Sequence, residues 1–203
     1  MGTDIDGAIE TRTTDGRWQV ARDLTAFALG RDHDAWDCLF GVGRASGMER
    51  PLFPYRGLPD DASDPVREAG AVDYTHGHTY ATWAEVAAVD WDAPLADAPA
   101  WSWVAVWRPG RDGAPVLGEV VEATPDLCDA AADVFGARTL LAPPEWPPGG
   151  EVRRDGAVYR PVVLTARMPA PPDGERWAPV WTAMREHADG CGDERVRLVV
   201  WFG

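Results

Sequence analysis

The sequence predicts an α+β fold with a central, largely antiparallel sheet and several short helices. Three observations indicate this class: a strand pattern near each end of the chain, hairpin turn signals, and helical patterns that stand apart from the strands. Separate hairpins and helices are typical of α+β proteins. Because both terminal strand patterns are strong, we expect both strands to lie in the central sheet. With 203 residues, the chain is predicted to form a single domain, 1–203.

The first elements follow from local patterns. Residues 4–12 alternate between two faces, and Asp15-Gly16 is a turn signal that leads into a return strand over 17–21. Residues 34–45 carry apolar side chains at helical spacing, and Asp34 is the expected N-cap of that helix. Prolines then interrupt the chain, so we expect a loop up to a short helix that starts near Ser63-Asp64-Pro65.

The later elements are predicted in the same way. Residues 71–81 are polar and are expected to form a connection, followed by a helix whose capping box pairs Thr82 with Glu85. Another helix is expected from Thr124-Pro125 to about Phe135, and a last one from about Pro179 to Gly190. Strand patterns cover 101–107, 116–121, 158–166 and 196–202, and Asp155-Gly156 gives a further hairpin turn.

The composition excludes several classes of enzyme. All 19 basic residues are arginine, so no lysine is present for a pyridoxal-phosphate Schiff base, a Walker-type phosphate loop or the third strand of a protein kinase. Codon bias in a GC-rich genome explains the missing lysine. The net charge of −14 disfavours nucleic acid and anionic membranes as partners. The basic side chains of Arg153, Arg154 and Arg160 are the one tight cluster, and a solvated hairpin is the alternative interpretation of that cluster.

Other sequence features indicate a cytoplasmic protein. No stretch of 18 apolar residues is present, and the polar N-terminal residues do not resemble a signal peptide. Cys38, Cys128 and Cys191 are odd in number and widely spaced, which favours reduced thiols over a disulfide framework.

The first candidate site lies on the N-terminal strand. Asp4, Asp6 and Glu10 share one side of it, and alternate carboxylates can bind a divalent metal or supply an acid–base pair. Polar side chains that simply face solvent give the same pattern.

The second candidate site is the segment that contains Asp73, His76 and His78. A His-x-His pair beside a carboxylate suits zinc, iron or manganese, although a third protein ligand is not evident. A divalent metal is therefore a possible cofactor, and no other cofactor is indicated. The alternative is a polar loop in which His78 and Thr79 make turn or capping hydrogen bonds.

The eleven tryptophans suggest an aromatic wall for a pocket, with Trp83 and Trp201 placed beside the polar residues; a hydrophobic core is the alternative interpretation. Our first hypothesis is a small-molecule-binding protein or enzyme whose pocket forms where the first strand meets the loop from Asp73 to Tyr80. We predict that its catalytic residues are Asp4, Asp6, His76 and His78, and that its ligand-binding residues are Asp73, Thr79, Trp83 and Trp201. The second hypothesis is a non-catalytic acidic module that binds a basic protein, of phage–host or immunity type.

Several segments together resemble an uncharacterised family of small phage and bacterial proteins that open with a Met-Gly-Cys-Asp-Ile-His strand. The matching segments are Met1-Gly2-Thr3-Asp4-Ile5-Asp6, Arg56-Gly57-Leu58-Pro59, Gly77-His78-Thr79, Thr82-Trp83-Ala84-Glu85 and Val196-Arg197-Leu198-Val199-Val200-Trp201-Phe202. The resemblance implies a fold with both termini in strands, and it leaves roughly residues 95–170 unmatched. Thr3 and Asp6 stand where the family has Cys and His, and Gly203 replaces its terminal Asp-Asn. These departures imply altered chemistry or a lost site.

Overall fold

The computed structural model describes residues 3–42, 51–95 and 103–203 of the chain. The chain divides into two compact units. We call residues 1–93 with 169–203 the terminal unit, and residues 94–168 the central unit. Each unit contains one antiparallel sheet of four strands.

The elements in chain order are β1 (Ile5–Arg12), β2 (Trp18–Asp23), α1 (His33–Phe40), α2 (Asp64–Gly70), β3 (His76–Thr82), α3 (Trp83–Ala87), β4 (Trp103–Pro109), β5 (Pro115–Glu122), α4 (Pro125–Phe135), β6 (Val152–Arg154), β7 (Ala157–Pro161), α5 (Ala178–Cys191) and β8 (Val196–Phe202). Short 3-10 turns at Leu24–Ala26, Pro143–Glu145 and Asp193–Arg195 complete the described secondary structure.

The sheet of the terminal unit has the strand order β2-β1-β8-β3, so the last strand of the chain lies between two strands from its first half. Every residue of β8 is buried, which agrees with its apolar sequence and its central position. Gly7 permits the close approach of β1 and β8, because a Cβ atom at this position would lie 2.1 Å from the carbonyl oxygen of Val199. This arrangement confirms the predicted α+β class. It also confirms that both terminal strands lie in one sheet, where β1 pairs with β8.

The two faces of this sheet are covered differently. On one face, Ala8 of β1 and Val199 and Trp201 of β8 pack with Ala62 and Val66. On the other face lies an aromatic cluster in which neighbouring ring centroids are 5.2–6.2 Å apart, within the range of favourable ring contacts. Its members are Trp36, Phe40, Phe53, Trp91, Trp177, Trp181 and Phe202.

The central unit has the strand order β5-β4-β7-β6. Its helix, α4, covers one sheet face through Leu127 and Ala131, which pack with Val104, Trp146 and Val152. Two hairpin turns, one between β4 and β5 and one between β6 and β7, lie at the same end of the sheet because β4 pairs with β7 in antiparallel order.

Some sequence expectations are corrected by the structure. Asp32, not Asp34, caps α1, because its carboxylate accepts from the backbone N–H of Ala35 at 3.4 Å. That helix ends at Phe40 with Gly41 in the left-handed conformation, and 43–45 of the expected helix lie outside the described residues. Most of the polar connection expected over 71–81 forms strand β3.

Other differences concern the middle of the chain. The strand expected over 158–166 ends at Pro161, since a proline cannot donate to the next strand pair. The middle strands build a second sheet instead of extending the central one. Trp101 lies outside the described residues, and the single-domain expectation stays a prediction.

Candidate functional site

Asp4 is paired with an arginine. Both of its carboxylate oxygens accept hydrogen bonds from Arg31, at 2.8 and 3.0 Å, and both side chains are largely exposed. The hydrogen bond from Arg31 lowers the pKa of Asp4 below its ordinary value. A carboxylate held in this way is a weak proton donor, which does not favour a role as a general acid.

The pKa of Asp6 is shifted in the opposite direction. It lies on β1 opposite Trp201 and is half-buried, and this burial raises the pKa of Asp6, with smaller contributions from the negative charges of Asp23 and Asp4. A raised carboxyl pKa suits proton transfer. However, no hydrogen bond joins Asp6 to either predicted histidine in the described part of the chain.

The strand order places one strand between the two groups of predicted residues. β8 lies between β1 and β3, and Phe202 pairs with Ile5 on one side and with His76 on the other. The backbones of β1 and β3 are therefore two strand spacings apart, about 10 Å. The pocket expected between the first strand and the loop from Asp73 to Tyr80 would have to form across this intervening strand.

His78 and Thr79 bond to the backbone. The Nε2 atom of His78 donates to the carbonyl oxygen of Gly70 at 2.7 Å and lies 3.2 Å from the Thr75 hydroxyl. The buried hydroxyl of Thr79 donates to the carbonyl oxygen of Pro54 at 2.7 Å. These are the hydrogen bonds that the alternative interpretation of this segment expects.

The remaining predicted ligands are dispersed. Asp73 and His76 are exposed, and the imidazole of His76 faces the ring of Phe202 at 6.2 Å. Over 3–42, 51–95 and 103–203, no three His, Cys, Asp or Glu side chains are grouped closely enough to hold a metal ion. His76, His78 and Asp73 thus do not form a three-ligand metal site.

The two predicted tryptophans have different surroundings. Trp201 is buried in the cluster with Ala8 and Val199, where it packs as a core residue. Trp83 begins α3 and lines a cavity of about 260 Å³ together with Trp91 and Trp181.

Glu10 is fully buried in an ion pair instead of facing solvent. Its carboxylate accepts from Nε of Arg197 at 2.8 Å and from the backbone N–H of Ser63 at 2.8 Å. Arg197 also donates to Asp61 at 2.7 Å, and its guanidinium lies 3.9 Å from the ring centroid of Trp18. Glu10 and Arg197 are enclosed by protein, whereas Asp61 is exposed, and the enclosed pair indicates a structural role.

An arginine-rich cavity lies at the end of the central unit's sheet, between the two hairpin turns. Its volume is about 500 Å³. Its charged and aromatic lining side chains are Trp107, Arg108, Arg153, Arg154, Asp155 and Arg160. Cavities of this size are typical of small-molecule sites, which span roughly 300–1,000 Å³.

One carboxylate holds two of these arginines. Glu151 accepts from Nε and Nη2 of Arg153 at 3.0 and 2.6 Å, and from Nε and Nη2 of Arg160 at 3.2 and 2.9 Å. The guanidinium of Arg160 also lies 5.4 Å from the ring centroid of Trp107. These hydrogen bonds lower the pKa of Glu151, so the carboxylate remains charged at neutral pH. Nη1 of each arginine makes no hydrogen bond within the described residues.

The other two arginines have weaker ionic contacts. Arg108 lies 3.5 Å from Glu119, and Arg154 lies 3.5 Å from Asp155. Nη1 of Arg154 donates to the backbone carbonyl oxygen of Asp126 at 3.0 Å, which ties this side chain to α4. The charged side chains that line the cavity are thus four arginines and one aspartate, Asp155, while Glu119 and Glu151 pair with arginines from outside the lining.

Sequence reasoning identified Arg153, Arg154 and Arg160 but not Glu151 or Arg108. A signal for Glu151 was present, because a two-residue turn at Asp155-Gly156 pairs Arg154 with Ala157 and Arg153 with Val158. Continuing that register places Glu151 opposite Arg160. No local signal could bring Arg108 to the cavity, because its position depends on the pairing of β4 with β7.

The comparisons do not add to this picture. No described helix has the length and apolar character needed to cross a membrane. The chain matches no protein-family model, no curated protein and no solved structure.

Proposed function

We propose that the chain binds a small anionic ligand in the arginine-rich cavity of its central unit. The observation that supports this most directly is that four of the chain's 19 arginines line one cavity of about 500 Å³. This proposal keeps the small-molecule hypothesis and moves its site away from Asp4 and His78.

The arrangement of the guanidiniums favours binding. Glu151 fixes Arg153 and Arg160 through their Nε and Nη2 atoms and leaves Nη1 of each available to a ligand. Guanidiniums bind carboxylate and phosphate oxygens through charge-assisted hydrogen bonds, and fixed side chains lose less entropy on binding.

The net charge of −14 does not prevent this binding. At physiological ionic strength the screening length is about 8 Å, so the charges nearest the ligand dominate its electrostatic energy. The charged side chains that line the cavity are four arginines and one aspartate.

The test is calorimetric titration of the purified chain with inorganic phosphate and with pyrophosphate, in a buffer without other multivalent anions. We expect binding that weakens by tenfold or more in the double variant Arg153→Gln/Arg160→Gln, since each lost charge-assisted bond costs about 1.5–3 kcal/mol. Arg138→Gln is the matched control, because Arg138 is exposed, belongs to the same unit and does not line the cavity.

Two results would contradict the proposal. One is the absence of binding at millimolar anion. The other is an equal loss of affinity in the Arg138→Gln control, which would show that binding follows net charge rather than this cavity.

The acidic-module hypothesis stays a prediction and rests on net charge alone. It expects a basic protein partner that is retained at low salt and released at high salt. A partner that persists at high salt, or none at low salt, counts against it.

A further inference from the structure

The four arginines of the cavity come from opposite faces of the sheet, two from each face. Arg153 pairs with Val158, which pairs with Trp107, so Arg153 and Arg160 share the face of Trp107. Successive side chains of a strand point to opposite faces. Arg108 and Arg154, each one residue away from that set, therefore start from the other face.

Both pairs nevertheless border the same cavity, because it surrounds the end of the sheet. β4 ends at Pro109 and β7 begins at Ala157, and the turn glycines Gly113 and Gly156 also line the cavity. Neither glycine has another heavy atom within 4 Å of where a Cβ would lie, so the turns leave open space beside the arginines.

We propose that the ligand carries two linked anionic groups, as a diphosphate does, with one group bound by Arg153 and Arg160 and the other by Arg108 and Arg154. This inference rests on the proposed function. Two separate cationic pairs around one cavity match two anionic groups better than one. In addition, the ionic contacts of Arg108 and Arg154 with Glu119 and Asp155 are long, at 3.5 Å, and can be exchanged for ligand oxygens, while Nη1 of Arg154 keeps its hydrogen bond to the carbonyl oxygen of Asp126.

The experiment compares phosphate, pyrophosphate and ADP by calorimetry in magnesium-free buffer. We expect pyrophosphate or ADP to bind at least tenfold more tightly than phosphate, because the second group adds charge-assisted hydrogen bonds. Tightest binding by pyrophosphate identifies the free anion as the ligand class, and equal or tighter binding by ADP identifies a diphosphate on an organic group.

The variants separate the two pairs. Arg108→Gln/Arg154→Gln should weaken binding of the diphosphate tenfold or more and leave phosphate affinity nearly unchanged. Arg153→Gln/Arg160→Gln should weaken binding of both, and Arg138→Gln should change neither. If a double variant does not fold by circular dichroism, the single variants Arg108→Gln and Arg160→Gln replace it.

The failures are distinguishable. If phosphate binds and neither diphosphate binds more tightly, the two-group inference is wrong while the anion site stands. If Arg108→Gln/Arg154→Gln weakens phosphate and diphosphate equally, the assignment of one group to each pair is wrong. If no anion binds, the proposed function fails as well.

Discussion

Each sheet contains an arginine that lies over a tryptophan ring and pairs with a glutamate, but the two arginines differ in exposure. In the terminal unit Arg197 lies over the ring of Trp18 and is paired with Glu10; in the central unit Arg160 lies over the ring of Trp107 and is paired with Glu151. The Arg197 side chain is 4% exposed and the Arg160 side chain 46% exposed.

The two clusters differ in burial and in the number of carboxylates for each arginine. Arg197 bonds to two carboxylates, whereas Glu151 is shared between two arginines. In a buried ion pair each charge requires its counter-charge, because an unpaired buried charge is costly. An exposed pair contributes little to stability and can exchange partners. Burial therefore distinguishes the arginine that maintains the fold from the arginines that we propose bind a ligand.

The largest effect should come from Arg197→Met. Removal of the guanidinium leaves Glu10 buried without its counter-charge, so we expect a loss of about 3–5 kcal/mol in the free energy of unfolding. Urea denaturation measures this loss. A loss below about 1 kcal/mol would show that the enclosed pair is no more important than a surface pair.

The double variant Glu10→Met/Arg197→Met should be more stable than Arg197→Met alone. Replacing both charges with apolar side chains removes the unpaired carboxylate, and we expect recovery of about 2 kcal/mol in the same urea experiment. The backbone N–H of Ser63 loses its acceptor, which limits the recovery. If the two substitutions are simply additive, the interpretation of Glu10 as an unpaired charge in the single variant is wrong.

Asp61 should give a smaller, pH-dependent effect. The hydrogen bond from Arg197 lowers the pKa of Asp61. Because the folded pKa is depressed, this stabilisation is present above the ordinary pKa of the carboxyl and is lost as pH falls through the folded pKa. The Asp61 side chain is 59% exposed, so we expect less than about 1 kcal/mol after screening.

The measurement is the free energy of unfolding from about pH 5 to pH 2. Asp61→Asn should flatten the decline of stability relative to the unsubstituted chain. Identical slopes would exclude a contribution from Asp61.

The smallest effect on stability should come from Arg160→Met in the central unit. Its exposed pair with Glu151 contributes little to stability, as surface ion pairs do. Thermal unfolding should therefore change little, while anion affinity measured by calorimetry falls. A large loss of stability would contradict the contrast between the two sheets.

Elements with strong local signals could be predicted from sequence. The Thr82–Glu85 capping box is present, and the helix expected after Thr124 runs from Pro125 to Phe135. The strand expected over 196–202 is Val196–Phe202. In each case the cap residue or the alternation is sufficient without knowledge of distant contacts.

Features that depend on contacts between residues distant in sequence could not be predicted. The polar segment His76–Thr82 forms a strand because β8, more than a hundred residues later in the chain, supplies its partner. The burial of Glu10 likewise depends on Arg197 and on the backbone of Ser63. The strand order, which places β8 between β1 and the strand that contains His78, likewise depends on contacts distant in sequence.

The position of β8 also determines when each unit can form during synthesis. The central unit is continuous in sequence, so all its strands and α4 are available once about residue 168 has left the ribosome. The sheet of the terminal unit must wait for the last residues of the chain, because β8 joins β1 to β3. Before β8 is made, the sheet offers β1 only β2 as a strand partner and offers β3 none, so nascent chains stalled before residue 196 carry unpaired strand edges.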